Sequence, residues 1–148
     1  MFIDVPRRND LVRRVMFVAA EFYVRHLGLE TSNFALTIEI RKPVGPEEGV
    51  DGLTYRSGNH IYLFIDSRLS RFWLLVTLAH EMIHVHQIAK GLLNVQELNG
   101  ELDVRWRGKP VDPNIPYEDR PWEVLAYKRQ LPLLDAFTSS VSITLPML

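Results

Sequence analysis

The sequence predicts an α+β domain, with a small mixed or antiparallel sheet packed on a central helix and further helices near the N and C termini. Three observations lead to this prediction. A capped helical segment comes first, strand-like segments with period-two alternation follow, and helical segments occupy much of the second half. With 148 residues, the chain is expected to form one domain, residues 1–148, that buries its own core.

The first predicted helix begins at a capping residue, Asn9 or Asp10, and ends near Leu27, where Gly28 stops it. Apolar side chains recur with helical spacing, so one face of this helix is predicted to pack into the core. The residues predicted to form that face are Leu11, Val15, Val18 and Phe22.

Strand-like segments follow this helix. Residues 34–40 (FALTIEI) alternate apolar and polar side chains and are predicted to form a strand. Proline, glycine and acidic residues dominate residues 42–52 (KPVGPEEGVDG), which predicts an exposed loop. Residues 53–56 and 60–65 flank a turn signal, Ser-Gly-Asn at 57–59, so these two segments are predicted to form a β-hairpin.

A long helix is predicted over residues 70–90, with Gly91 at its end. The next residues, 92–100, are ambiguous, and a short turn of helix is one interpretation of them. Residues 104–109 (VRWRGK) resemble a small hairpin around Gly108.

The last helix is predicted after a proline-spaced loop at residues 110–117. Asp119 is suited to cap this helix, which is expected to span residues 121–137. Pro132 within that span predicts a kink or an early end, because proline lacks the amide hydrogen that a helix interior uses. Residues 138–148 are predicted to form a terminal strand or a loose tail.

The long predicted helix carries the motif His80-Glu81-Met82-Ile83-His84. The two histidines lie about 40° apart around the helix, so both imidazoles can reach one Zn²⁺. Glu81 can accept a proton from a water molecule activated by the ion, which is how zinc peptidases make their nucleophile. His86 lies roughly 140° from the midpoint of the other two histidines and is a poor ligand candidate.

The other side of this helix is predicted to be buried. Trp73 and Gln87 fall within about 20° of His80 and therefore share the side of the motif. The residues predicted to pack into the core from the far side are Leu75, Leu78, Met82 and Val85.

A catalytic zinc ion needs a third protein ligand and one open position for water. The chain has no cysteine, and His86 is its last histidine, so the third ligand is predicted to be a carboxylate. Glu123 is the best candidate because it opens the last predicted helix, which holds a side chain more firmly than a loop does. Glu118 and Asp119 are alternatives, although Asp119 is better suited to cap the helix.

The HExxH motif at residues 80–84, followed by YEDRPWEVLA at residues 117–126, resembles the compact zincin metallopeptidases of the gluzincin kind. SprT-like and ImmA-like small zincins from bacteria and phages are similar over roughly residues 61–134. The resemblance implies a zincin-like minimal fold, with one Zn²⁺ held by His80, His84 and Glu123 and with Glu81 as general base. The chain lacks the third histidine and the cysteine zinc ribbon of SprT-like proteins, and its ligand spacing is longer than in the best-known gluzincins.

A hydrogen-bond donor that stabilises the oxyanion is also expected at such a site. Tyr127 is the first candidate because it lies one turn beyond the third ligand on the same face. Tyr117 and Arg120 are alternatives, and so is His60 if the hairpin folds over the cleft. The strand at residues 60–65 could pair with an extended substrate peptide, as zincins are known to do.

Composition and charge limit the classes of partner. The net charge of -1 and the pI near 6.5 provide no electrostatic attraction to nucleic acid or to anionic membranes. No apolar stretch reaches about 18 residues, so no membrane association is expected. The N-terminal residues lack the pattern of a signal peptide, which predicts a cytoplasmic protein, and the resemblance allows a phage origin.

Three functional hypotheses follow. The first is a zinc metalloendopeptidase that hydrolyses a protein or peptide substrate. The second is a non-catalytic zinc-binding module with an interaction or regulatory role and a degenerate peptidase site. The third is a nucleic-acid-associated protease anchored by Arg105, Arg107 and Lys109, which the neutral overall charge does not favour.

Overall fold

A computed structural model describes residues 1–7, 10–45 and 49–141. The described residues form both helices and strands, and the predicted α+β class with helices near both ends is confirmed. The elements are β1 (Phe2–Asp4), α1 (Leu11–His26), β2 (Ala35–Arg41), β3 (Gly52–Ser57), β4 (His60–Asp66), α2 (Arg71–Ala89), β5 (Leu93–Leu98), β6 (Glu101–Trp106), β7 (Lys109–Val111), a 3₁₀ turn (Tyr117–Asp119) and α3 (Pro121–Val141).

The main sheet has four strands in the order β1-β2-β4-β3. β1, β2 and β4 run parallel, while β3 pairs antiparallel with β4 in the predicted hairpin. Alternate side chains of β4, namely Ile61, Leu63 and Ile65, are fully buried in the core beneath the helices. This apolar face follows from the period-two alternation of a strand that is covered on one side.

The prediction that the strand at residues 60–65 pairs with a substrate peptide is wrong. β4 is hydrogen-bonded to β2 on one side and to β3 on the other, so it has no free edge. Among the described strands, β3 forms that edge of the sheet, because β4 is its one neighbour.

α1 has the predicted bounds, but only half of its predicted apolar face packs: Val15 and Phe22 lie partly buried against the core. Asp10 caps the helix by accepting a hydrogen bond from the Arg13 amide, and Asn9 lies outside the described residues. Leu11 and Val18 are 56% and 45% exposed. The fully buried face of α1 is centred roughly 140° around the helix from the predicted one. Two alanines on it allow close packing, and a pattern of large apolar side chains does not reveal them. Its buried residues are Met16, Ala19, Ala20, Tyr23 and Val24.

α2 forms as predicted and occupies the centre of the domain. The Ser70 side chain accepts a hydrogen bond from the Trp73 amide at its start, and Gly91 follows its end with a φ of 72°. That positive φ is a conformation that glycine adopts without strain. The far side is buried as predicted, at Leu75, Leu78, Met82 and Val85.

A second sheet follows α2, with β5, β6 and β7 in antiparallel order. The interpretation of residues 92–100 as a helical turn is wrong, because β5 occupies most of this segment and pairs with β6. Asn99 and Gly100 both have positive φ, at 54° and 81°, and they form the tight Asn-Gly turn that favours a hairpin. The predicted hairpin around Gly108 is confirmed as the β6–β7 connection.

α3 begins at Pro121 as predicted and continues to Val141, so the predicted early end at Pro132 is wrong. The proline is on the exposed side of the helix, while the turns beyond it are anchored by buried side chains. Their packing outweighs the lost backbone hydrogen bond, which proline costs a helix interior. The anchoring residues are Leu133, Leu134 and Phe137. The predicted tail strand falls on residues 142–148, outside the described residues.

The remaining loops agree with the predictions in outline. Residues 42–45 and 49–51 have no regular structure, although Val44 is buried, and residues 46–48 lie outside the described part of the chain. Within the described ranges, no helix combines the length and the apolar character needed to cross a membrane.

Tyr23 is fully buried between α1 and α3, and its hydroxyl has no hydrogen-bond partner among the described residues. Burial raises the pKa of Tyr23, so the hydroxyl stays protonated. Tyr23→Phe should therefore leave the free energy of unfolding unchanged or raise it by about 1 kcal/mol, because a buried unpaired hydroxyl is costly. Urea unfolding measures this change. The matched control is Tyr55→Phe at an exposed site, and a clear loss of stability in Tyr23→Phe would contradict the prediction.

Candidate metal centre

Three potential metal ligands converge between α2 and α3. One ligand atom from each of His80, His84 and Glu123 lies within 4.8 Å of the others. Oε1 of Glu123 is 3.0 Å from Nε2 of each histidine. Ligands bound tetrahedrally to zinc at about 2.1 Å lie roughly 3.4 Å from one another, so separations of 3.0 Å are close to the size that one ion requires.

The packing of α3 on α2 brings Glu123 to the histidines. Gln87, near the end of α2, donates a hydrogen bond to the backbone oxygen of Trp122 at 3.1 Å. Trp122 is buried and packs against Trp106 of the second sheet, with ring centroids 6.1 Å apart. The residue before the third ligand is therefore anchored through both its backbone and its side chain.

The hydrogen bonds of the two histidines determine which nitrogen faces the centre. Gln87 donates through Nε2 to Trp122, so its Oε1 is the atom 2.8 Å from Nδ1 of His84. An oxygen acceptor at that position requires the proton of His84 to be on Nδ1, which leaves the Nε2 lone pair facing Glu123. Oε1 of Gln130 lies 2.8 Å from Nδ1 of His80 and has the same effect there.

If both histidines were neutral, their Nε2 lone pairs would point at the negatively charged Oε1 of Glu123. The lone pairs and the carboxylate repel each other unless a cation lies between them. Protons are one such cation. Burial opposes the charged imidazolium, but the hydrogen bond with Glu123 and the charge of Glu81 outweigh it and raise the pKa of His84 to about 9. Burial likewise opposes the charged carboxylate of Glu123, yet hydrogen bonds from both histidines lower its pKa well below the usual range.

A divalent metal ion is the other cation that fits. It would occupy the space between the three lone pairs, with both histidines neutral, and this donor set of two nitrogens and one oxygen is that of a catalytic zinc site. The described residues thus hold a group that could bind a metal ion, and it is the predicted group of His80, His84 and Glu123.

Glu81 lies beside this group and is buried against the edge strand β3. Its Oε2 accepts a hydrogen bond of 2.7 Å from the Thr54 hydroxyl. A Cβ atom at Gly52 would lie 2.7 Å from Oε1 of Glu81 and 2.8 Å from Cγ2 of Thr77, so only glycine fits there. Burial raises the pKa of Glu81, and the charges of the neighbouring histidines oppose that shift only in part.

A cavity of about 360 Å³ opens next to the metal-binding group. His80 and Glu81 line it together with two tyrosines from the far wall. Such a space could hold a water molecule next to His80 and Glu81 and part of a substrate beside it. The further lining residues are Gly49, Val50, Asp51, Gly52, Trp73, Val76, Thr77, Tyr117, Tyr127 and Gln130.

Two of the four candidate oxyanion donors line this cavity. The Tyr117 hydroxyl donates to Oε1 of Glu123 at 3.0 Å and lies 3.2 Å from the Tyr127 hydroxyl. The Tyr127 ring packs edge-on against His80, with centroids 4.6 Å apart. Burial and the hydrogen bond with Tyr127 raise the pKa of Tyr117, so that hydroxyl remains a protonated donor.

The other sequence candidates lie elsewhere. Arg120 stacks on the Tyr117 ring and donates to the backbone oxygen of Ile115, so it supports Tyr117 from outside the cavity. His60 stacks on Tyr62, and its Nε2 lies 2.7 Å from the Thr37 hydroxyl, so the hairpin does not bring it into the cavity. The alternative ligands Glu118 and Asp119 are exposed and are not part of the metal-binding group, and neither is His86, as predicted.

Four residues that organise the site had no assigned role in the sequence analysis. They are Gln87, Gln130, Thr54 and Gly52. The angular position of Gln87 beside His80 was a usable signal for one of them. The other three reach the site from β3 and α3, and no local pattern specifies that approach.

Comparison with models of known protein families, with curated proteins and with solved structures gives no match for this chain.

The histidine hydrogen bonds lead to a test of metal affinity. Gln130→Leu removes the acceptor that orients His80 and should weaken zinc binding by about 10- to 100-fold, the usual effect of losing a partner of a ligating histidine. Competition with a chromophoric chelator measures this affinity. Gln96→Leu makes the same chemical change at an exposed position of β5 and should leave the affinity unaltered. Equal affinity in all three proteins would contradict the assigned histidine orientation.

Proposed function

We propose that the chain is a zinc-dependent metalloendopeptidase that hydrolyses peptide bonds in protein or peptide substrates. The observation that carries the proposal is the buried carboxylate of Glu81, which a metal-binding group does not need for holding the ion. Burying a charged side chain costs free energy, so its presence at this position indicates a functional role. Its place beside His80 and His84, at the wall of an accessible cavity, is that of a general base.

A bound zinc ion would supply Lewis acidity, which lowers the pKa of coordinated water to about 7 and polarises a carbonyl oxygen. Glu81 would take the proton from the attacking water and pass it to the departing amine nitrogen. Thr54 fixes the carboxylate so that one oxygen keeps a defined direction.

Tyr127 is proposed to donate a hydrogen bond to the substrate carbonyl oxygen as negative charge develops on it. Its hydroxyl lies next to that of Tyr117, which already donates toward Glu123. With the Tyr117 proton directed at Glu123, Tyr127 is the donor between the two hydroxyls, and its proton would turn from the Tyr117 oxygen to the substrate carbonyl when one is bound.

The substrate backbone is proposed to pair with β3. This strand is an edge of the main sheet, and Gly52 and Thr54 place it directly against Glu81. An extended peptide added to such an edge has its backbone hydrogen bonds satisfied and passes close to the catalytic residues.

Glu81→Gln should abolish hydrolysis of an unstructured protein such as casein, with a loss of at least about 100-fold, because the amide cannot accept the proton. Zinc should still bind, since the three ligands are unchanged. A chelator should abolish activity of the parent protein, and added zinc should restore it. Glu118→Gln, an exposed glutamate near the site, is the matched control and should keep full activity.

The same experiment decides the alternative of a non-catalytic zinc module. That module would bind zinc and be stabilised by it, by about 2.7 kcal/mol at 100 times the dissociation constant, without cleaving any substrate. Activity that is insensitive both to Glu81→Gln and to the chelator would overturn the peptidase proposal.

Gly52→Ala tests how closely β3 constrains the base. The added methyl group would overlap with the Glu81 carboxylate and Thr77, so Glu81 should move and lose its bond to Thr54. We expect activity to fall at least about tenfold while zinc affinity stays the same, because 1 Å of misplacement is costly for catalysis. Gly58→Ala, in the β3–β4 turn, controls for effects on the hairpin; a normally active Gly52→Ala protein would contradict this geometry.

A further inference from the structure

Large apolar side chains contribute to the lining of the cavity beside the metal-binding group. Trp73 lies on the same side of α2 as His80 and is 52% exposed, although it is one of the largest apolar side chains in the protein. Val50 and Val76 line the cavity beside it. An indole left half uncovered within a concave surface is typical of a ligand contact rather than of core packing.

The position of Trp73 along α2 relates it to the cleaved bond. Trp73 is seven positions before His80 in the chain, which corresponds to about 10 Å along the helix axis. An extended peptide advances about 3.3 Å per residue, so a side chain on the indole belongs to a residue within about three positions of the bond held at the metal. Thr77 lies between the two positions on α2 and also lines the cavity.

The charges of the cavity restrict the side chain that can enter. Glu81 and Asp51 contribute carboxylates, and none of the described lysine or arginine residues lines the cavity. An acidic side chain on the indole would meet the Asp51 carboxylate with no lysine or arginine beside it, because the metal ion would be about 10 Å away, at the other end of the cavity. A large apolar side chain would instead bury its surface against the indole and the two valines.

We propose that Trp73 determines specificity, so that the protein selects polypeptide segments carrying a large apolar or aromatic side chain within about three residues of the cleaved bond, and discriminates against acidic ones. This inference rests on the proposed peptidase function, because it assumes that a peptide lies in the cavity. It goes beyond that function by naming the substrate class and the residue that selects it.

The test measures binding and cleavage separately. The probes are acetylated and amidated heptapeptides with the sequence Ala-Ala-Ala-X-Ala-Ala-Ala, in which X is Phe, Leu, Ala, Lys or Asp. Binding is measured by calorimetry with the full-length Glu81→Gln protein loaded with zinc, so that bound peptides stay intact. The Phe and Leu peptides should bind at least about tenfold more tightly than the Ala peptide, and the Asp peptide should bind most weakly.

Substitution of the indole should remove this preference. In the Glu81→Gln background, Trp73→Ala should reduce the advantage of Phe over Ala to less than about threefold, while Trp73→Phe should retain most of it. Phe2→Ala removes another exposed aromatic side chain, in β1 and outside the cavity, and should leave the preference unchanged. Circular dichroism confirms that each variant is folded.

The outcomes separate this inference from the proposed function. Absence of cleavage by the parent protein, with the apolar preference intact in the binding assay, would overturn the peptidase and support Trp73. Cleavage without preference, a preference for Asp, no peptide binding, or a preference that survives Trp73→Ala would each overturn the role of Trp73. Where peptides are cleaved, mass spectrometry of the products should place X within about three residues of the cut.

Discussion

Three electron pairs that point into one small space between α2 and α3 are the constraint on which the rest of the structure depends. The Nε2 atoms of His80 and His84 face Oε1 of Glu123 at 3.0 Å, and such a group is stable only around a cation. The two helices therefore have to meet at a defined height and rotation. Gln87 contributes to both requirements, because the same amide orients His84 and holds the backbone before Glu123.

The main sheet positions the Glu81 side chain, which α3 does not contact through any hydrogen bond between the described residues. Glu81 lies beside the ligand group and packs against β3, where the Thr54 hydroxyl donates to its carboxylate and Gly52 leaves room for it. The Glu81 carboxylate is therefore buried and held in a fixed direction, and burial raises its pKa. Because β3 is also the edge of the sheet, the strand that orients the base is the one free to pair with an extended chain.

Where predictions of the fold failed, packing outweighed a local pattern. The buried face of α1 is built around Ala19 and Ala20, whose small side chains carry little weight in a reading based on large apolar residues. α3 continues through Pro132 because the side chains beyond it are anchored in the core, at a gain larger than the cost of one missing hydrogen bond. The sequence does not predict β5, although Asn99-Gly100 is a strong hairpin signal. Its partner β6 begins at Glu101, whereas the predicted hairpin begins at residue 104, so the pairing of the two strands is not evident.

The sequence by itself determined the class of the fold, the hairpin, the bounds of α1 and α2, and the ligand candidates. These features depend on local spacing: residues four apart share a helix face, and the absence of cysteine leaves a carboxylate as the third donor. Only the tertiary structure decided that Glu123 is the carboxylate that meets the histidines, and that Gln87, Gln130, Thr54 and Gly52 contact the ligand group and Glu81. It also decided that β3 rather than β4 is the free edge. These contacts join residues far apart in the chain, so they follow from how helices and sheet pack, which no local pattern encodes.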